Sequence, residues 1–341
     1  MNNDRLLLAS DLHLTANARD EYRWGLFPWL KAQCAEHDVD TLLLLGDLTD
    51  AKDYHSASLV NRIVDAITSI AIQTPVIILR GNHDGIDPAT PYFKFMSHLL
   101  SVTYIHVPER GAGKYIYFPH SKNLPEDWAN TMVKTDYTRI HSPIVFMHAT
   151  VGGCRAENNV ELPGIPISTF EGFPGKIYSG DIHVPQRVGP VEYVGAPYPI
   201  RFGDKFTPRC LLVGPEGYTR DLHYPSIKRH KLVLTSVQLP RGVSITAGDQ
   251  VKVVIQLDQR EVLDWESHRK AVVDKIAALG AELCGLEIQV TSTVDRSKVI
   301  AEETKNVSDT DLLNQFCDRE STPTELRELG ISLLEESDGK K

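Results

Sequence analysis

Three short apolar runs, Leu6-Leu7-Leu8-Ala9, Thr41-Leu42-Leu43-Leu44-Leu45 and Pro75-Val76-Ile77-Ile78-Leu79, constrain this chain more than any other feature. Each is continuous, not alternating, which is the pattern of a strand buried on both faces. Between the first two lies Tyr22 to His37, with Phe27, Leu30 and Cys34 spaced for one helical face. Between the second and third, Leu59, Ile63, Ile67 and Ala71 mark another helix. Strand, helix, strand, helix, strand predicts βαβ units and a largely parallel sheet. All three runs stop in polar clusters: Asp11-Leu12-His13, Gly46-Asp47-Leu48-Thr49-Asp50 and Arg80-Gly81-Asn82-His83-Asp84. The carboxyl edge of such a sheet is where open α/β folds place their chemistry. One polar ending is more often a turn than a site; three together point to a site.

Beyond Ile86 the pattern is less regular. Tyr92 to Leu100 predicts a helix and Tyr115 to Phe118 a strand. Ser142 to Met147 predicts a strand ending at His148, Val151 to Pro166 a loop, and Lys176 to Ser179 a strand ending at Gly180-Asp181-Ile182-His183. Val191 to Val194 and Arg209 to Val213 complete a second, antiparallel set. A boundary is expected near Tyr224-Pro225-Ser226, followed by the basic run Lys228-Arg229-His230-Lys231, a candidate contact for a DNA backbone or a basic interdomain turn. Gln250 to Leu257 then alternates as a half-buried strand, and Asp264 to Leu279 carries Trp265, Val272, Ile276 and Leu279 on one helical side. With Leu286 to Val290 alternating again, this predicts a small α+β unit of ~70 residues. Two capped helices close the tail. Ser308 and Asp311 resemble a capping box before Leu312, Leu313 and Phe316; Thr322-Pro323-Thr324-Glu325 precedes Leu326, Leu329 and Leu333.

Composition limits the function classes. With 341 residues, 42% hydrophobic and 24% charged, the chain has the make-up of an ordinary globular protein with room for two domains. No apolar run approaches the ~20 residues of a membrane span. The opening Met1-Asn2-Asn3-Asp4-Arg5 lacks the regions of a signal peptide. Five widely spaced cysteines read as reduced thiols, so a cytoplasmic protein without disulfide frame or zinc site is expected. The net charge of −9 argues against a generally basic surface, yet a metal-centred site can still draw phosphate locally.

Collected, the strand-end donors are Asp11, His13, Asp47, Asp50, Asn82, His83, Asp84, His148, Asp181 and His183. Mixed carboxylate, imidazole and amide ligands suit borderline to hard divalent ions. They are too many for one ion and enough for two, and two ions about 3.5–4 Å apart build a hydrolytic centre that activates water and neutralises phosphate. Asp84 reads as a brace for its loop more than as a ligand.

The ordered series Asp11-x-His13, Gly46-Asp47-x-x-Asp50, Gly81-Asn82-His83-Asp84, His148 and Gly180-Asp181-x-His183 resembles that of calcineurin-like metallophosphoesterases over roughly the first 215 residues. Within them the chain is most similar to SbcD-type DNA repair nucleases, partners of SbcC-type ATPases. Tyr193-Val194-Gly195-Ala196-Pro197 followed by Phe202-Gly203-Asp204 is similar to a segment of those nucleases. The resemblance implies an α/β fold: a two-sheet αββα sandwich over residues 1–225, a small DNA-facing α+β capping domain over 226–300, and a helical tail over 301–341 that docks a partner. It implies that Asp11, His13, Asp47 and His183 hold one metal. Asp47 would bridge, and Asn82, His148 and Asp181 would hold the second. His83 would be the general acid, with Asp50 orienting its ring; an imidazole suits the role because it titrates near working pH and a carboxylate can fix its tautomer.

One position departs from that pattern. The family reads Gly-His-x-His, and here Asp181 replaces the first His. Aspartate is still a competent ligand, so a harder, more anionic second site is expected, with manganese first and iron, zinc or magnesium as alternatives. The leading expectation is a two-metal DNA nuclease, exo- or endonucleolytic, acting in repair, recombination or phage DNA processing. Its partners would be DNA, an SbcC-type ATPase and a second copy of the chain in a homodimer, with no membrane. Two other readings stand beside it: a metallophosphoesterase for small phosphodiesters or phosphoproteins, and a catalytically impaired DNA-end-binding subunit of an SbcC-type complex. His55 and His120 are further substrate-contact candidates, set against ordinary solvated positions.

Overall fold

The computed structural model describes residues 4–87, 89–236, 238–240, 242–258, 261–290, 309–319 and 324–338. The three apolar runs become β1 (Leu6–Ala9), β2 (Thr41–Leu44) and β3 (Val76–Leu79), joined in parallel to β4 (Val102–Ile105). On the far side of β1 lie β11 (Cys210–Val213), antiparallel to β1, and β12 (Thr219–Leu222), antiparallel to β11, giving a six-stranded sheet ordered β12-β11-β1-β2-β3-β4. A second six-stranded sheet runs β5 (Glu109–Arg110), β6 (Tyr115–Phe118), β7 (Ile144–His148), β8 (Lys176–Gly180), β10 (Val191–Tyr193), β9 (Gln186–Val188).

Period-two alternation explains how the two sheets stack. Leu6 and Leu8 of β1, Leu43 of β2 and Leu79 of β3 face Tyr115, Tyr117, Ile144, Phe146 and Tyr178 of the second sheet, all buried. Their neighbours Leu7, Ala9, Leu42, Leu44 and Ile78 point the other way, onto α1 (Leu26–Glu36) and α2 (Ala57–Ala71). Ile116, Phe118, Val145, Met147 and Ile177 likewise face Trp128 and Met132 of α3 (Leu124–Thr135). Burying each large apolar side chain is worth roughly 1.5–3 kcal/mol. The result is the expected αββα sandwich.

Three local expectations are corrected. β10 pairs parallel with β8, while β11 belongs to the first sheet, so the two do not form one antiparallel set. Both strands are short apolar runs, and partner choice depends on distant chain that periodicity does not report. Tyr92–His98 is 3-10 instead of α-helical, and Ala18–Gly25 forms a separate 3-10 turn before α1. The basic run Arg229-His230-Lys231 lies in strand β13 (Arg229–Leu234) and is not a turn.

β13 pairs parallel with β14 (Gln250–Leu257) in a three-stranded sheet with β15 (Glu282–Val290), accompanied by α4 (Trp265–Ala278). The chain divides into two compact units, Met1–Ile255 with His268–Glu287 and Gln256–Ser267 with Ile288–Lys341. In the second unit, α5 (Asp309–Arg319) and α6 (Thr324–Asp338) are tied by Arg327, which donates to Asn314 Oδ1 and Asp318 Oδ1, each at 2.7 Å. Leu312, Phe316, Leu326 and Leu329 are exposed. The expected caps at Ser308 and Thr322-Pro323, and the side chain of Leu333, lie outside the described residues. No described helix is long and apolar enough to cross a membrane.

Candidate metal centre

The ends of β1, β2, β3, β7 and β8 meet at one edge of the sandwich, and the loops there are tied main chain to main chain. Asp11 N donates to Gly46 O at 3.2 Å, His13 N to Asp47 O and Leu14 N to Leu48 O, each at 2.9 Å. Asp11, His13, Asp47 and Asp181 all adopt left-handed backbone, with φ of 55°, 43°, 54° and 83°. Non-glycine residues in that region cluster at functional sites, where the surroundings over-determine the strain. Asp84 is the buried brace. Its carboxylate accepts from Gly81 N at 2.7 Å, Leu48 N at 2.9 Å and Asp47 N at 3.0 Å, joining the loops after β2 and β3. Gly81 and Gly46 pack so closely that a Cβ would collide with the Asp47 carboxylate and the His148 ring respectively. The Gly-Asp and Gly-Asn pairs of the motifs are therefore packing requirements as well as turns.

Around these loops the donors converge. His13 Nε2 lies 3.0 Å from His183 Nε2 and 3.7 Å from Asp47 Oδ2. His148 Nε2 lies 3.4 Å from Asp47 Oδ1 and 3.5 Å from Asp181 Oδ1. Its Nδ1 donates to Leu45 O at 2.7 Å, which fixes the ring and aims Nε2 inward. In one orientation of the Asn82 amide its oxygen sits 3.1 Å from His148 Nε2 and faces acceptors only. Turned over, the amide would instead donate to both Asp47 oxygens, at 3.0 and 2.9 Å. Asp11 Oδ1 accepts from Asp181 N at 3.1 Å, and Asp11 Oδ2 is buried without a hydrogen-bond partner. Facing lone pairs and an orphaned carboxylate oxygen cost free energy unless a cation lies among them. Asp11, His13 and His183 group within metal-binding reach, as do Asp11, Asp47 and His148, and His13, Asp50 and His83. The donor set thus fits divalent ions.

Electrostatics follow from burial and crowding. Burial pushes the Asp47 carboxyl up to about 8, against the pull of His148 and with the push of Asp84 and Asp11. Burial opposes protonation of His148, yet Asp47 and Asp181 outweigh it and raise its pKa. Burial also opposes ionisation of Asp181, but His148 and the Thr150 hydroxyl hold its carboxyl at about 2. His13 is lowered, chiefly by burial.

The remaining candidates fall into different places. His83 Nδ1 sits 2.5 Å from the main-chain carbonyl of Asp50, and His83 N donates to Asp47 Oδ1 at 2.8 Å. The ring is oriented by the backbone of Asp50; the Asp50 carboxylate is turned to His13 Nδ1, 3.5 Å away. His55 bonds Thr49 Oγ1 at 2.8 Å and packs on Tyr92, away from the cleft lining. His120 stands edge-on to His148, ring centroids 6.1 Å apart, and burial pushes it down to about 4. Half of the basic run is engaged within the fold: Arg229 donates to Ile200 O at 2.7 Å and His230 pairs with Asp249 at 3.0 Å.

Two contributors lie outside the strand-end motifs, although Arg201 sits between Pro197 and Phe202 of the segment singled out above. Glu157, from the loop after β7, abuts His183 Nδ1, the ring nitrogen opposite the one facing His13; the pair holds Glu157 at about 2 despite burial. Arg201 lines the same cleft of about 330 Å³ as His13, Asp47, Asn82, His83 and His183. Neither sits in a strand-end motif.

The donor set suits a metal-dependent hydrolase, and the comparisons with known proteins point the same way. The family model for calcineurin-like phosphoesterases matches residues 4–171 of this chain. Two relatives, each the SbcD component of the nuclease SbcCD, come from Escherichia coli strain K12 and from Escherichia coli O157:H7. Both are 22% identical over 306 residues, covering 75% of this chain and 74% of theirs. A solved dimetal phosphatase from Danio rerio is similar with a TM-score of 0.40 at 12% identity, over 64% of this chain and 98% of that one.

Proposed function

We propose that this chain is a DNA nuclease that hydrolyses phosphodiester bonds with two bound divalent ions, manganese first among them. The observation carrying this reading is the reach of the likeness to the SbcD nucleases. It covers 75% of the chain, more than residues 4–171 of the phosphoesterase domain account for, so it extends into the part a compact phosphatase has little need of. Asp11, His13, Asp47 and His183 would hold one ion, and Asp47, Asn82, His148 and Asp181 the other. When bound, such ions supply Lewis acidity and a water acidic enough to attack at neutral pH.

The chain's own residues do the rest. Asp84 and the paired loops fix the donors before substrate arrives, so little reorganisation accompanies reaction. His83 is the residue left to move a proton. With Nδ1–H engaged by the Asp50 carbonyl, the other nitrogen of this cleft-lining ring is left to protonate the departing sugar oxygen. Residues 226–300 would face the DNA, and the tail from 301 would meet an ATPase partner.

The test is hydrolysis of single- and double-stranded DNA with manganese, wild type beside His83→Ala. The reading expects DNA cleavage that falls about 10²–10⁴-fold in the variant. Cleavage of a small diester dye without DNA would favour a small-molecule phosphoesterase, and no hydrolysis of either a binding subunit.

A further inference from the structure

The cleft is lined by four carboxylates, Asp47, Asp50, Asp181 and Glu157, and among its described lining residues Arg201 carries the one guanidinium or ammonium group. Its backbone is clamped. Asp204 Oδ2 accepts from Ile200 N at 2.9 Å and from Arg201 N at 2.8 Å. The Arg229 side chain donates to Ile200 O at 2.7 Å and its carbonyl accepts from Gly203 N at 2.8 Å, with the guanidinium stacked 4.3 Å over Phe202. Two buried or half-buried charged residues thus hold the turn that presents Arg201. The Arg201 guanidinium itself, among the described residues, makes no hydrogen bond and has no carboxylate within 4.0 Å. An arginine kept for structure is normally paired; one presented unpaired at an acidic cleft offers five donors in a planar fork that matches phosphate.

We propose that Arg201 is the residue that anchors a substrate phosphate, making charge-assisted bonds to its non-bridging oxygens and so positioning the diester against His83. This rests on the hydrolytic reading above and adds the substrate contact that the strand-end motifs lack. Glu157 lies beyond ion-pairing distance of the guanidinium, although the two charges still attract each other across the cleft, so an incoming phosphate binds beside a carboxylate that repels it.

Arg201→Ala and Arg201→Lys are compared with wild type, manganese-loaded, on an oligonucleotide and on bis(p-nitrophenyl) phosphate. Arg201→Ala is expected to raise KM about ten- to a hundredfold with kcat within about twofold, and Arg201→Lys to recover part of the loss. A rise on both substrates assigns the contact to the cleaved phosphate; a rise on the oligonucleotide alone assigns it to a flanking one. Calorimetric titration of inorganic phosphate is expected to weaken in step, and this reading survives even if DNA is not the substrate. Unchanged KM on every substrate cleaved, together with unchanged phosphate binding, would overturn the proposal.

Discussion

The loops after β1, β2 and β3 hold their donors through main-chain hydrogen bonds and the threefold-accepting Asp84, whereas the donors at the ends of β7 and β8 are set by contacts to their side chains: Leu45 O on His148, Thr150 and His148 on Asp181, and Glu157 on His183. The first half is built into the folding of the sheet. The second is tuned by side chains that can change one at a time. Asp181 stands on that second half, where its carboxylate has Thr150 and His148 as partners.

Four substitutions separate the halves. Asp47→Ala removes the carboxylate that faces both His13 and His148, and activity should fall about 10³-fold or more, since a metal centre contributes several kcal/mol at about 1.4 kcal/mol per tenfold; manganese-dependent turnover checks it. Asp84→Ala leaves three buried N–H groups without acceptors, and urea unfolding should show a loss of about 3 kcal/mol or more. Glu157→Gln should instead weaken manganese binding about 10–100-fold by titration, with unfolding nearly unchanged. Were Glu157→Gln to unfold as readily as Asp84→Ala, the contrast would be gone.

The smallest effect, from the fourth substitution, concerns pH. His120 is held down at about 4 by burial, below its ordinary 6.5, so the unfolded chain takes up a proton that the folded one refuses. The stability tied to its neutral form is therefore present above pH 6.5 and lost as pH falls toward 4. Unfolding of metal-free protein across that window should be less steep in His120→Gln than in wild type.

The donors were legible because each sits directly after an apolar run, and strand ends in parallel sheets converge. Asp84 was legible as a brace for the same reason. Glu157 and Arg201 were not: they arrive on irregular chain after β7 and β10, where nothing periodic says which way a side chain turns. The routing of His83 through the Asp50 carbonyl was hidden too, because sequence names the carboxylate and is silent on the main chain. The partners of β10 and β11 escaped since short apolar strands fit either sheet until both exist.

In the proposed site the two sheets together hold two ions, with Asp47 between them. Anomalous diffraction from manganese-soaked crystals tests it directly. Two peaks are predicted about 3.5–4 Å apart, one among Asp11, His13, Asp47 and His183, the other among Asp47, Asn82, His148 and Asp181. A single peak, or a second one not touching Asp181, would contradict it.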